Sequence, residues 1–273
     1  MIEARVIADS IAPNGTRLVT LECTYPYFIH GQVMATRVFS RNAASSRAIP
    51  VKKMIERVRN NIAMPSYWAR NQRGMEAISE IDEDKKKLAI ERWLRDAEQA
   101  CRSAEYYAGL GVHKAIANRP VMPYMHMTTL ISSTQWANHE NLRIHHGAQQ
   151  EYQLLATLMR FAMQMSEPTL VKEGAWHLPF WTQADAVLSI QDQIRVCVAR
   201  CARVSLLNHE GIYSVEDDLI LFYRLVSERP PHSSPLEHVA TPLSSQWDAH
   251  SNFVGWEQFR GIFEAEIGWD SRS

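Results

Sequence analysis

Three arginines, three serines and one asparagine fall within the eleven positions from Arg37 to Arg47. Arg37, Arg41 and Arg47 offer planar guanidinium forks, Ser40, Ser45 and Ser46 offer hydroxyls, and a turn here would add exposed backbone N–H groups. That donor set suits a phosphoryl group, whose oxygens accept charge-assisted bonds in pairs. The apolar run ending at Met34 and the breaker Pro50 frame the segment as a loop leaving an ordered element. On residue chemistry alone, a solvated turn and an anion cradle are both open.

The charge balance narrows the ligand. With 29 basic and 30 acidic residues the formal net charge is -1, so no overall positive field exists to hold polymeric nucleic acid or an anionic membrane. An anionic small molecule must be met locally. The chain has 273 residues, 46% of them hydrophobic, enough to bury a core without staples. Cys197 and Cys201 stand four apart on one face of an expected helix, with no second Cys/His pair at finger spacing, and read as buried structural residues. Four cysteines and no apolar N-terminal run give the expectation of a reduced, cytoplasmic protein.

The elements that must position these groups are legible in outline. Two short apolar runs flank Pro13-Asn14-Gly15, which predicts a β-hairpin over Arg5 to Cys23. Glu76 to Leu110 is dense in strong helix formers and stops at Gly109 and Gly111; its Asp82 to Lys87 run reads as a solvated face. Tyr152, Leu155, Ala156, Met159 and Met163 form a core stripe on a helix over Gln149 to Met165. Further helices are predicted over Ile190 to Arg203 and, after a turn at Asn208 to Gly211, over Val215 to Val226. The Trp/Pro-rich stretch Glu167 to Gln183 reads as an ordered connector, and the tail through Trp247, Phe253, Trp256 and Phe259 as loops and aromatics.

The arginine-serine segment resembles the signature of flavin-dependent thymidylate synthases, an Arg-His-Arg followed after seven residues by Ser, in the fuller form S-x-N-E-x-S-x-R. Arg37 matches the last arginine, Ser40 and Asn42 the S-x-N, and Ser45 and Arg47 the closing S-x-R, with seven residues between Arg37 and Ser45. Ala35 and Thr36 replace the leading Arg and His, and Ala43 replaces the Glu. A second resemblance runs from Gly111 to Pro120 and from Thr134 to Arg143, ending on Ala148-Gln149-Gln150-Glu151. A third covers Ala202-Arg203-Val204-Ser205 and His232-Ser233-Ser234-Pro235-Leu236-Glu237-His238, similar to the family's A-R-V-S and H-x-S-P-L-E-H elements. In the family these precede the arginine signature. Here they follow it, so the chain looks circularly permuted, a rearrangement that preserves contacts when termini lie close together.

The resemblance implies an α+β fold, helix-rich with a small antiparallel sheet. It implies one catalytic domain over 1–273, in which 1–166 carries the Arg/Ser signature and 190–260 the permuted elements. It implies reductive methylation at C5 of dUMP with FAD as cofactor, NADPH and methylenetetrahydrofolate as co-substrates, and a homotetramer with sites shared between subunits. Ser45 and Arg143 are the implied catalytic residues. Gln32, Ala44, Ser45, Ser46, Arg47, His126 and Arg143 are the implied substrate contacts, and Arg37, Asn42, Asn138, Ser205 and His238 the flavin contacts. Three rivals stand beside this reading: a pyrimidine nucleotide hydroxymethylase, motivated by Ala35 and Thr36; a non-catalytic nucleotide-binding homologue; and, against the charge balance, a helical nucleic-acid-binding protein.

Overall fold

The computed structural model describes residues 1–74, 76, 78–206, 211 and 213–269. The expected hairpin forms as β1 (Glu3–Ile11) and β2 (Arg17–Pro26), paired antiparallel around the Pro13-Asn14-Gly15 turn with a bulge between Val6 and Ala8. Gly15 there has φ 88°, a left-handed backbone that glycine adopts without a Cβ penalty. The chain continues through α1 (His30–Met34), β3 (Ser40–Ala43), α2 (Val51–Asn60), α3 (Glu83–Gly109), α4 (Lys114–Ala117), β4 (His126–Ser133), α5 (Ala137–Arg143) and α6 (Gln150–Gln164). It ends with β5 (Thr169–Leu170), α7 (Ile190–Arg203), α8 (Val215–Ser227), β6 (Ala240–Pro242), β7 (Ala249–His250), β8 (Phe253–Val254), β9 (Trp256–Gln258) and α9 (Phe259–Glu266).

The fold is α+β. Its main sheet has the order β3-β4-β2-β1-β5, antiparallel throughout except for the parallel β1–β5 pair. Side chains alternate across a strand, so β2 presents two faces. Its odd positions Val19, Leu21, Cys23 and Tyr25 pack into a core with Met54, Val58, Ala104, Tyr152, Leu155 and Met159 from α2, α3 and α6. On the other face Leu18 packs with Val171, Ala240, Phe253 and Trp256, and Leu130 of β4 packs with Cys201 and Val204. Both faces are therefore covered, one by the first half of the chain and the other by the second.

Several expectations are corrected by long-range pairing. The long helix begins at Glu83, because Arg70 N donates to Ser79 O at 2.7 Å, Ile81 N to Trp68 O at 2.9 Å and Trp68 N to the Glu80 carboxylate at 3.0 Å, holding the preceding residues extended. The arginine-serine segment is not all loop: Ser40 to Ala43 forms the edge strand β3 on β4. The tail contains short strands, with β6 paired to β9 and β7 to β8. α7 spans the predicted Ile190 to Arg203, and Cys197 and Cys201 are fully buried on it. The predicted turn at Asn208 to Gly211 lies outside the described residues apart from Gly211.

Candidate functional site

The segment 44–49 is locked from three sides. Ala44 N donates to Thr128 O of β4 at 2.8 Å, and Ser45 N to Ser205 O just past α7 at 2.9 Å. The fully buried Asn118 amide donates to Ser46 O at 2.7 Å and to Ile49 O at 3.0 Å, and Lys114 Nζ to Ala48 O at 2.8 Å. Within the turn, Ala48 N and Ile49 N both return to Ser45 O. This leaves the N–H groups of Ser46 and Arg47 without a backbone partner among the described residues. Buried Asn42 ties the preceding strand to the same helix end, donating to Cys201 O at 2.6 Å.

Beside this turn lies a cleft of ≈ 490 Å³. One wall carries Asn42, Ser45 and Arg47. The cleft is lined also by Ala202, Ser205 and Leu206 at and just past the end of α7, and by Leu221, Arg224 and Leu225 of α8 with His232 and Ser234. Among the described residues that line it none is Asp or Glu, while Arg41, Arg47 and Arg224 all border it. Arg41 is committed elsewhere, donating to Met34 O and Thr36 O. Arg47 is exposed and makes no ion pair with a described residue. A concave site rimmed by cations and hydroxyls, with no competing carboxylate among the described residues, suits a phosphorylated small molecule.

The two helices α7 and α8 that contribute to the lining are joined by a buried ion network. Asp218 on α8 accepts from Arg203 Nε at 2.8 Å and Arg200 Nε at 2.9 Å, and Arg200 also grips Asp185 at 2.6 and 2.8 Å. Burial works to lower the Arg200 pKa, but its bonds to Asp185 and Asp218 outweigh that and hold it above the ordinary arginine value. Arg203 also lies 3.4 Å from the Tyr213 ring centroid. The Arg of the A-R-V-S element thus braces the cleft from below, and the Ser205 hydroxyl turns back to Ala202 O at 2.7 Å.

The structure brings Asn42, Ser45, Arg47 and Ser205 together at the cleft, with Ala44 and Ser46 as buried parts of the same turn. It does not bring the others there. His238 is fully buried behind the sheet, at the end of a hydrogen-bonded chain. Its Nδ1 is 2.8 Å from Ser132 Oγ, which is 2.6 Å from Thr20 Oγ1, 2.8 Å from His177 Nε2; His177 Nδ1 meets Ser10 Oγ at 2.8 Å. Burial pushes both imidazoles down to about 3, with the neighbouring His177 adding to the effect at His238. His238 Nε2 has no partner among the described residues. His126 opens β4, within reach of the Met1 amino group at 3.0 Å and Asn61 O at 3.3 Å, beside a separate cleft of ≈ 250 Å³ lined also by Arg57 and Thr128. Desolvation, then the Met1 charge, lowers His126 to about 4.

Gln32 and Arg143 meet around the start of α6 instead. Gln32 donates to Gln149 at 2.5 Å, and the Arg143 guanidinium lies 4.6 Å from the Tyr152 ring centroid, where Thr36 Oγ1 is 3.3 Å from the phenol oxygen. Asn138 is exposed on α5 and Arg37 is exposed in the turn before β3. The expected convergence of the early loop, Arg143 and His238 in one cavity therefore does not occur within one chain. β4 and α5 carry Arg143 toward α6, and the short helical turn Ser234–His238 places His238 inside, against Ser132 of β4. Sequence reasoning missed Arg224, His232 and Ser234 as lining groups. The last two open the H-x-S-P-L-E-H element, so their signal was present. Arg224 is a lone arginine on an amphipathic helix and has none.

Among the described residues no helix is long and apolar enough to cross a membrane. No protein-family model matches the chain, and no curated protein matches it. Among solved structures, the chain is similar to the UMP/dUMP methylase PolB from Streptomyces cacaoi bound with 5-Br dUMP, at 14% identity over 59% of this chain and 89% of that one, with a TM-score of 0.49. It is also similar to the same protein bound with 5-Br UMP, at 15% identity over 59% and 88% of the two chains, with a TM-score of 0.48.

Proposed function

We propose that the cleft binds the phosphoryl end of a pyrimidine nucleotide, and that the protein is a flavin-dependent enzyme acting at C5 of that nucleotide as a thymidylate synthase. One observation carries the reading. The Ser45/Arg47 segment and the A-R-V-S and H-x-S-P-L-E-H segments, far apart in sequence and each resembling the same family, border one cleft with no carboxylate among its described lining residues. Arg47 supplies a bidentate charged grip, and the Ser45 hydroxyl with the free N–H groups of Ser46 and Arg47 completes a phosphate cradle.

Arg143 would stabilise negative charge on a pyrimidine carbonyl as C5 attacks the one-carbon unit. It lies outside the cleft of its own chain, so this role requires the subunit-shared sites of the implied homotetramer. Bound FAD, reduced by NADPH, would supply the hydride that finishes transfer from methylenetetrahydrofolate. The donor set around the cleft fits a phosphorylated ligand of this kind. Ser205 and Asn42 would border the cofactor through backbone and position, since their side-chain bonds point inward.

A second reading, hydroxymethylation of dUMP, UMP or dCMP, rests on Ala35 and Thr36, since Thr36 is bonded to Tyr152 and no imidazole stands in its place. The test is spectral and then chemical. Purified protein should show flavin absorption that bleaches with NADPH and returns on adding dUMP and methylenetetrahydrofolate, with a nucleotide product heavier by one methylene. A product heavier by a further oxygen selects the hydroxymethylase. A colourless protein that does not oxidise NADPH selects a non-catalytic nucleotide binder.

A further inference from the structure

Arg224 sits in the last turn of α8 and borders the same cleft as Arg47. Other arginines near it are engaged. Arg200 and Arg203 are paired with Asp185 and Asp218, Arg195 with Asp192, and Arg229 donates to Val226 O and Glu228 O. Arg224 is exposed, and among the described residues it makes no ion pair. A cation at a helix C-terminus is favoured by the macrodipole, which accounts for an arginine there. It does not account for a second guanidinium, unpaired among the described residues, on a cleft that already carries Arg47 and has no carboxylate among its described lining residues. Two like charges on one small cleft repel, and a bound dianion is the partner that turns this into attraction.

We infer that Arg224 is a second guanidinium contact for the phosphoryl group bound in this cleft, so that the ligand is gripped from both halves of the chain at once. The inference rests on the nucleotide reading above and adds a residue and a geometry to it. Arg47 reaches from the turn after β3 and Arg224 from α8; the Ser45 N to Ser205 O bond at 2.9 Å ties that turn to the end of α7, and Asp218 pairs α8 with Arg200 and Arg203 of α7. The phosphoryl group has two sources in that reading, the nucleotide substrate and the flavin dinucleotide, and both present the same chemistry to the two arginines.

The test compares the unsubstituted protein with Arg47→Ala, Arg224→Ala and Arg224→Lys. UMP and uridine are titrated calorimetrically, and FAD and riboflavin by quenching of flavin fluorescence. Loss of a charge-assisted contact at Arg224 is expected to weaken UMP or FAD by about tenfold or more, with the phosphate-free counterpart bound as before and Lys recovering part of the loss. The phosphorylated ligand that weakens identifies the source. Unfolding of the ligand-free Arg224→Ala protein should change little, because the substitution removes no ion pair among the described residues and the lost helix-end charge and the relieved repulsion oppose each other. If Arg47→Ala weakens UMP while Arg224→Ala binds both UMP and FAD as the unsubstituted protein does, the inference is overturned and the nucleotide reading stands. If the unsubstituted protein binds neither, both fall.

Discussion

Replacing Asp218 by Asn keeps the shape of the side chain and removes the charge that holds α8 to α7. The carboxylate is 1% exposed and accepts from two guanidinium groups, Arg203 at 2.8 Å and Arg200 at 2.9 Å. Breaking a buried pair by removing one partner costs about 3 to 5 kcal/mol, because the remaining charge is left buried and uncompensated. Arg200 keeps Asp185, whereas Arg203, 7% exposed, loses its carboxylate and retains the Tyr213 ring. The cost therefore belongs at the low end, about 3 kcal/mol. At roughly 2 to 4 °C per kcal/mol for a chain somewhat shorter than this one, thermal unfolding followed by circular dichroism should drop by about 6 to 12 °C. Ligand binding should weaken as well, since α8 brings Leu221, Arg224 and Leu225 to the cleft. An unfolding temperature within about 2 °C of the unsubstituted protein would refute the claim that this network braces the site.

Arg47→Ala should weaken nucleotide binding by about 1.5 to 3 kcal/mol, the worth of a hydrogen bond to a charged group, and calorimetric titration with UMP would expose an unchanged affinity. Arg143→Ala should lower turnover more than flavin content, and equal activity would remove it from the reaction. Asn118→Ala strips two bonds from the fully buried underside of the turn at Ser46 to Ile49 and should cost about 1 to 3 kcal/mol in urea unfolding. Stability should also fall on acidification. His177 and His238 titrate near 3 in the fold, against about 6.5 unfolded, so below pH 6.5 the unfolded chain takes up two protons that the folded one refuses. Unfolding free energy should then decline by about 3 kcal/mol per pH unit between those limits, and flat unfolding temperatures from pH 7 to 5 would contradict it.

What the sequence disclosed and what it hid follow from the range of the interactions involved. The β1–β2 hairpin rests on a local turn, and α7 on its own periodicity and the Ser189 cap, so both were legible residue by residue. The start of α3 was not, because strong helix formers before Glu83 are overridden by pairing with residues 68–70. The two-residue and three-residue strands of the tail exist only through partners, which no local pattern reveals. At the site, the spacing from Arg37 to Arg47 pointed to the cleft. The place of Arg224 on its wall came only with the docking of α8 on α7. His238 shows the opposite case, a residue flagged by a motif whose side chain the fold turns inward to Ser132.

On the proposed reading, one phosphate site lies between the turn at Ser45 to Arg47 and the segments at Ser205 and His232. A crystal structure with dUMP bound measures it directly. The phosphate should lie in that cleft within hydrogen-bond reach of the Arg47 guanidinium and the Ser46 and Arg47 amides. A phosphate seated elsewhere, for example in the cleft of Arg57 and His126, would contradict it.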